Sequence, residues 1–263
     1  MEKQKKILLI IILFSIFLIT TMASTYLLSP SPDLNPFKGE DNQFQPETTE
    51  NNQFQPETTE NNLDQIESKA VLLGSREYGN VKREGPFGDS SSPTKIAYII
   101  GVHPNEHNSH QAILEAIKSN HNNLRYCYYV YQVQVTKDAA DYSKGRMNGQ
   151  LLAQEFVVSD IKKTDFKLAI DIHSHQGAYE EERFIFAPVE GGAAEKIARD
   201  IKNKIPWMAY YFPFSQTSPE YVTIPLDNAG IPAVLYETYL YEPYSLTRSH
   251  ADVFVKQVDT LAF

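Results

Sequence analysis

The sequence predicts a three-layer α/β sandwich around a mixed, mostly parallel central sheet. Between residues 67 and 263, short apolar runs of strand length alternate with longer stretches of helical periodicity, the pattern of helices packed on a sheet. That region holds roughly 195 residues, ample for one domain with its own core. Two of the predicted strand ends deliver metal-capable side chains into loops, His103-Pro104-Asn105-Glu106 and Asp171-Ile172-His173-Ser174. In such sheets ligands gather beyond the carboxyl ends of the strands.

Residues 1–29 read as a membrane anchor or signal peptide outside the fold. Lys3, Lys5 and Lys6 form a positive head, and an uncharged run extends from Ile7 to Leu28. Such a run is long enough as a helix to cross a hydrocarbon core of about 30 Å. The positive head predicts an N-terminus held inside and a remainder that is exported. Apolar residues cover every face, which argues against an ordinary core helix. The run exceeds a usual signal core of about 7–15 residues, which favours a retained anchor. Thr21-Met22-Ala23-Ser24 nevertheless offers the small residues that cleavage needs.

Residues 30–66 read as a disordered acidic linker. The unit Asn42-Gln43-Phe44-Gln45-Pro46-Glu47-Thr48-Thr49-Glu50-Asn51 recurs unchanged over residues 52–61. Polar repeats with proline and few large apolar groups cannot build a core, and the period is too short for the usual solenoid units. Fully stretched, such a linker reaches roughly 120 Å; relaxed, it spans nearer to roughly 35 Å. The whole chain carries a formal charge of −9. Most of it belongs to the linker, and the globular part is only mildly acidic. No basic patch points to nucleic acid.

Cys127 is the only cysteine, so no intrachain disulfide is available. It sits in the run Tyr126-Cys127-Tyr128-Tyr129-Val130-Tyr131, which reads as a buried strand rather than a nucleophile's loop.

The elements follow in order. Ile96–Gly101 is an apolar strand. Ser109–Ser119 is a helix with Ala112, Ile113, Ala116 and Ile117 on one face. Tyr126–Val135, rich in aromatic and β-branched residues, is a strand. Leu151–Ile161 is helical. Lys167–Ile172 is a strand and Phe184–Ala187 a short one. Gly192–Lys204 is a helix that stops before Pro206. Ala233–Thr238 is a strand, and Ser245–Val258 a closing helix for which Ser245 is the expected cap.

His103, Glu106 and His173 form the ligand set of a catalytic zinc that keeps one position open. Glu237 follows the apolar strand Ala233-Val234-Leu235-Tyr236, an odd place for an acid without a role. Asp171 lies two residues before His173 and so on the same side of a strand. There it can take the second ring proton and fix the tautomer.

Gly101-Val102-His103-Pro104-Asn105-Glu106 resembles the G-x-H-G-N-E signature of the succinylglutamate desuccinylase/aspartoacylase branch of the carboxypeptidase A-like zinc hydrolases, with Pro104 where glycine is usual. Asp171-Ile172-His173-Ser174 is similar to that branch's D-L-H-S segment, and Leu235-Tyr236-Glu237-Thr238 resembles its late strand with the catalytic glutamate. The likeness covers residues 90–240. It implies a carboxypeptidase-like fold, one zinc per chain, and Glu237 as the base that takes a proton from water and passes it to the leaving amine. The family's Asn-Arg pair has only an altered counterpart in Gly145-Arg146-Met147-Asn148-Gly149. Arg146 is the expected oxyanion stabiliser or a clamp for a substrate carboxylate, and Asn148 a substrate contact. Tyr210, Tyr211 and Tyr221 precede Glu237 at the distance where the family carries a substrate-contacting tyrosine, with Tyr211 and Tyr221 the expected substrate contacts.

The implied substrate is a peptide or N-acyl amino acid. A cell-wall peptide suits an exported, tethered hydrolase. Two alternatives remain at this point. His103-Pro104-Asn105-Glu106-His107 also matches the inverted zincin H-x-x-E-H, which needs a helix through these residues. A non-catalytic, wall-binding domain with a degenerate metal site is the other.

Overall fold

The computed structural model describes residues 69–213 and 217–263. The anchor and linker expected over residues 1–66 lie outside the described residues. Among the described residues, no helix is long and apolar enough to cross a membrane.

Among the described residues, eight strands form one sheet, in the order β1-β2-β4-β3-β5-β8-β6-β7. They are β1 (Lys69–Arg76), β2 (Gly79–Gly88), β3 (Lys95–Ile100), β4 (Cys127–Val135), β5 (Phe166–His175), β6 (Phe184–Phe186), β7 (Ala209–Tyr210) and β8 (Ala233–Tyr239). The centre, β4-β3-β5-β8, is parallel. β1 and β2 add an antiparallel edge, and β6 runs against β8. The sheet is therefore mixed and mostly parallel, as predicted.

The helices are α1 (His107–Asn120), α2 (Tyr142–Leu152), α3 (Ala193–Lys204), α4 (Ser218–Tyr221), α5 (Thr223–Asp227) and α6 (Tyr244–Val258). α2 continues through a π-helical segment, Ala153–Val158, into a last turn at Ser159–Ile161.

Alternation along the strands sorts side chains into two cores. Ile96, Tyr98, Ile170, Ile172, Val234 and Tyr236 pack with α1, α3 and α6. Ala97, Ile99, Ala169 and Ala233 pack on the other face with Leu152, Val157, Ile161 and Leu226. A sheet buried on both faces between helices is the three-layer sandwich. A single buried Leu, Ile or Phe in such a core stabilises it by about 1.5–3 kcal/mol.

Several boundaries differ from the sequence reading. The hairpin β1–β2 was not foreseen: its alternation is broken by charged residues and by Gly79, Gly85 and Pro86, and only Val81 and Phe87 of β2 are buried apolar anchors. β5 runs on through His173, Ser174 and His175 rather than ending at Ile172. α2 starts at Tyr142, not Leu151, capped by Asp141, whose carboxylate accepts from the backbone N–H of Ser143 and Lys144 at 3.0 and 2.8 Å. Its two glycines disguise it, since glycine is a poor helix former. Ser245 does not cap α6. The cap position falls on Pro243, and no side chain bonds there.

A candidate metal centre at the end of three adjacent strands

The parallel centre of the sheet brings together residues far apart in sequence. His103 and Glu106 lie in the turn between β3 and α1. His173 projects from β5 and Glu237 from β8, paired in register on neighbouring strands. β3, β5 and β8 are adjacent, so all four meet at one end of the sheet.

The turn is tight. Gly101 has φ +85°, a left-handed conformation that glycine adopts at no steric cost. A Cβ there would also sit 2.0 Å from the Val133 carbonyl oxygen. The N–H of Glu106 then donates to the His103 carbonyl at 3.1 Å, which turns both side chains to the same side.

His103 Nδ1 stands 2.9 Å from Glu106 Oε1, and His173 Nδ1 stands 3.0 Å from Glu106 Oε2. The N–H of Ser174 donates to the same Oε2 at 2.9 Å. Arg146, reaching from α2, donates from Nη1 to Oε1 at 2.8 Å while its guanidinium lies over the Tyr142 ring. His103, Glu106 and His173 are all buried. Burial opposes charge on Glu106, but His103 and His173 outweigh it and hold its pKa well below the usual carboxylate range. On His173 burial again opposes the charge, yet Asp171 and Glu106 together raise its pKa. For His103 burial wins, with repulsion from His173 adding to it, and the pKa falls to about 4.

The ring nitrogens turned away from Glu106 have their own partners. His173 Nε2 meets Asp171 Oδ2 at 2.9 Å, and His103 Nε2 meets the side-chain amide of Gln150 at 3.2 Å. Both inner nitrogens and one carboxylate therefore face a common point, and the ligand atoms lie within 4.8 Å of one another. Two imidazoles and a carboxylate, buried and oriented from behind, fit a divalent cation of the zinc type.

Beside this cluster a cleft of about 300 Å³ is bordered by Arg146, Glu237, Tyr142, Tyr179 and His175. Glu237 is buried yet opens on the cleft. His175 Nδ1 accepts from the Gly177 N–H, and Nε2 donates to the Glu182 carbonyl, both at 3.1 Å. That pins the loop carrying Tyr179.

The other predicted residues are placed as follows. Asp171 stands behind His173, as expected. Asn148 turns its amide to the Lys137 carbonyl at 3.0 Å and does not border the cleft. Tyr211 packs edge-on against Phe184, centroids 5.1 Å apart, and Tyr221 packs against the core under α2. Tyr142 and Tyr179 occupy the cleft instead. His107 opens α1, is exposed, and lines a different groove. Residues 103–106 form a turn, so the single helix that an inverted zincin needs does not form.

Gln150, Ser218 and Thr217 escaped the sequence reading. The one signal available was that Gln150 follows Arg146 by four residues, which puts both on one helix face.

No protein-family model matches the chain, and no curated sequence does. Three solved structures are similar to it. A metallo-carboxypeptidase from Pseudomonas aeruginosa shares 13% identity over 72% of this chain and 62% of its own, with TM-score 0.48. A metallo-carboxypeptidase from Burkholderia cenocepacia shares 13% over 75% and 66%, with TM-score 0.46. A succinylglutamate desuccinylase/aspartoacylase from Rhodobacter sphaeroides shares 13% over 73% and 63%, with TM-score 0.49. The chain spans just under two thirds of the length of each.

Proposed function

We propose that this protein is an exported, membrane-tethered zinc hydrolase of peptide or amide bonds, acting as a carboxypeptidase, amidase or deacylase. The observation that carries the catalytic part is the convergence of His103, Glu106 and His173 beside an in-register Glu237 at a cleft. The tether rests on the apolar run Ile7–Leu28 and the repeat that follows it. Peptides or N-acyl amino acids are the proposed substrates, cell-wall peptides among them.

His103, Glu106 and His173 would hold the zinc, which supplies a Lewis acid that polarises a carbonyl and activates water. Glu237 accepts the proton of the attacking water and returns it to the leaving amine. Its burial beside the cleft keeps bulk water away from that transfer. Arg146 is fixed by its bond to Glu106 and presents positive charge at the cleft, where an oxyanion develops. Tyr142, lying against Arg146, and Tyr179 also border the cleft and would contact the substrate.

The test is elemental analysis of the purified full-length protein, followed by assay of a panel of free-carboxylate peptides, C-terminally amidated peptides and N-acyl amino acids. About one zinc per chain, with turnover of one class, is expected. Zinc without turnover of any class would favour a binding domain. For the tether, protease added to intact cells stripped of their wall should release a fragment that starts between residues 30 and 70. A protected chain would contradict export.

A further inference from the structure

Two consecutive hydroxyl residues, Thr217 and Ser218, stand behind both histidines. The Thr217 Oγ1 lies 3.1 Å from the side-chain nitrogen of Gln150, whose amide in turn touches His103 Nε2. The Ser218 Oγ donates to Asp171 Oδ2 at 3.1 Å and lies 3.1 Å from His173 Nε2. Gln150, Asp171 and Ser218 are all buried. One short stretch of chain therefore terminates two parallel supports, Thr217–Gln150–His103 and Ser218–Asp171–His173.

We infer that Gln150 is a positioning residue that accepts the Nε2 proton of His103 in its metal-binding tautomer, and that Thr217 and Ser218 tie the two supports to each other. The inference rests on the metal reading of this site. A neutral imidazole carries one proton. With the lone pair of His103 Nδ1 given to a metal, that proton sits on Nε2 and needs an acceptor. Gln150 supplies one by turning its amide oxygen toward His103. The oxygen has two lone pairs and also accepts from the Thr217 hydroxyl, which is a donor as well as an acceptor. With the metal removed, the amide turns back: its N–H₂ donates to Nε2, and Nδ1–H donates to Glu106. A buried amide can serve both states because its two ends are nearly the same shape. A carboxylate at this place accepts only, so the two supports differ. The Asp171 arm holds one tautomer of His173, whereas the Gln150 arm allows both for His103.

Partners behind a ligating histidine typically contribute 10–100-fold in metal affinity. Zinc affinity of the full-length protein, measured by competition with a chromophoric chelator, is the readout, with the Co²⁺ ligand-field spectrum as a check on ligand geometry. Gln150→Met keeps the length and removes both bonds, and its zinc Kd should rise about 10–100-fold. Gln150→Glu restores the acceptor and should return the affinity to within a few-fold of wild type; Thr217→Val and Ser218→Ala should each weaken it by less than Gln150→Met. A residue that merely packs would show no rescue by Gln150→Glu. Should Gln150→Met fail to fold, Gln150→Glu and Thr217→Val decide: wild-type zinc and Co²⁺ behaviour in Thr217→Val, or zinc loss in Gln150→Glu, overturns the inference. Equal affinity in Gln150→Met and wild type overturns it too, while leaving the metal reading intact. A wild-type protein that takes up no zinc overturns the metal reading, and this inference with it.

Discussion

Glu237 sits beside His173, in register, on the neighbouring parallel strand. Adjacent strands are about 4.8 Å apart, so the backbone itself sets the distance from the proposed base to a proposed metal ligand. No loop motion is needed to bring them together.

Glu237→Gln should therefore leave metal content unchanged and lower kcat. The amide keeps the shape but cannot take a proton. A general base typically contributes about 10²–10⁴-fold, and steady-state kinetics beside elemental analysis will read both quantities. A variant that retains wild-type turnover removes the proposed mechanism.

Arg146 is tied to Glu106 and also borders the cleft. Arg146→Ala should lose about 10²–10³-fold in kcat if the guanidinium faces the oxyanion. If it grips a substrate carboxylate equally in ground and transition states, KM rises and kcat stays. The split between the two constants assigns the role, and an unchanged kcat/KM excludes both.

His107→Ala should keep its zinc and most of its activity, since His107 is exposed on the far side of the turn. His173→Ala should lose the metal. The opposite pattern in a zinc assay would restore the inverted-zincin arrangement.

Chelation should lower the melting temperature. A ligand that binds only the folded state at about 1,000 times its Kd stabilises by about 4 kcal/mol. For a domain of this size each kcal/mol moves the melting temperature by about 2–4 °C. A fall of roughly 8–16 °C on adding chelator, reversed by zinc, is expected in differential scanning calorimetry. His173→Ala should melt at one temperature with or without chelator.

Gly149→Ala should disturb the site from outside it. A Cβ at Gly149 would lie 1.9 Å from the carbonyl oxygen of Val102, the residue before His103. Backbone faces backbone there, so α2 must shift, and it carries both Arg146 and Gln150. A loss of about 1–3 kcal/mol in urea denaturation is expected, with weaker zinc binding. Unchanged stability would mean that α2 packs less closely than the distance requires.

The convergence of His103, Glu106, His173 and Glu237 was legible because each follows an apolar run, and strands of a parallel centre end on one side of the sheet. The order of the strands was not legible, since pairing is long-range. The start of α2 was hidden by Gly145 and Gly149, which lower helical propensity but allow contacts no side chain would permit: a Cβ at Gly145 would meet the Ala139 carbonyl oxygen at 2.8 Å. β5 runs past the predicted end because His173, Ser174 and His175 have the polar character of loop residues yet are buried in the strand. Asn148 is the sequence counterpart of the asparagine in the family's Asn-Arg pair. On a helix, however, residues two apart point away from each other, and Gln150, four along, takes the place facing the site. Tyr211 and Tyr221 match the family tyrosine only in spacing, and spacing does not distinguish a cleft wall from a core.

The strand order has a consequence for how the molecule is assembled. His103 and Glu106 follow β3, while His173 and Glu237 belong to β5 and β8, and these strands stand side by side although long stretches of chain separate them. Non-local parallel pairings form late, because loop closure must precede any reward from contact. Two of the three proposed ligands, His103 and Glu106, follow β3, and the third, His173, arrives only with β5. On the proposed metal reading, a tight zinc site during refolding would therefore report the pairing of β5 with β3 rather than the early collapse.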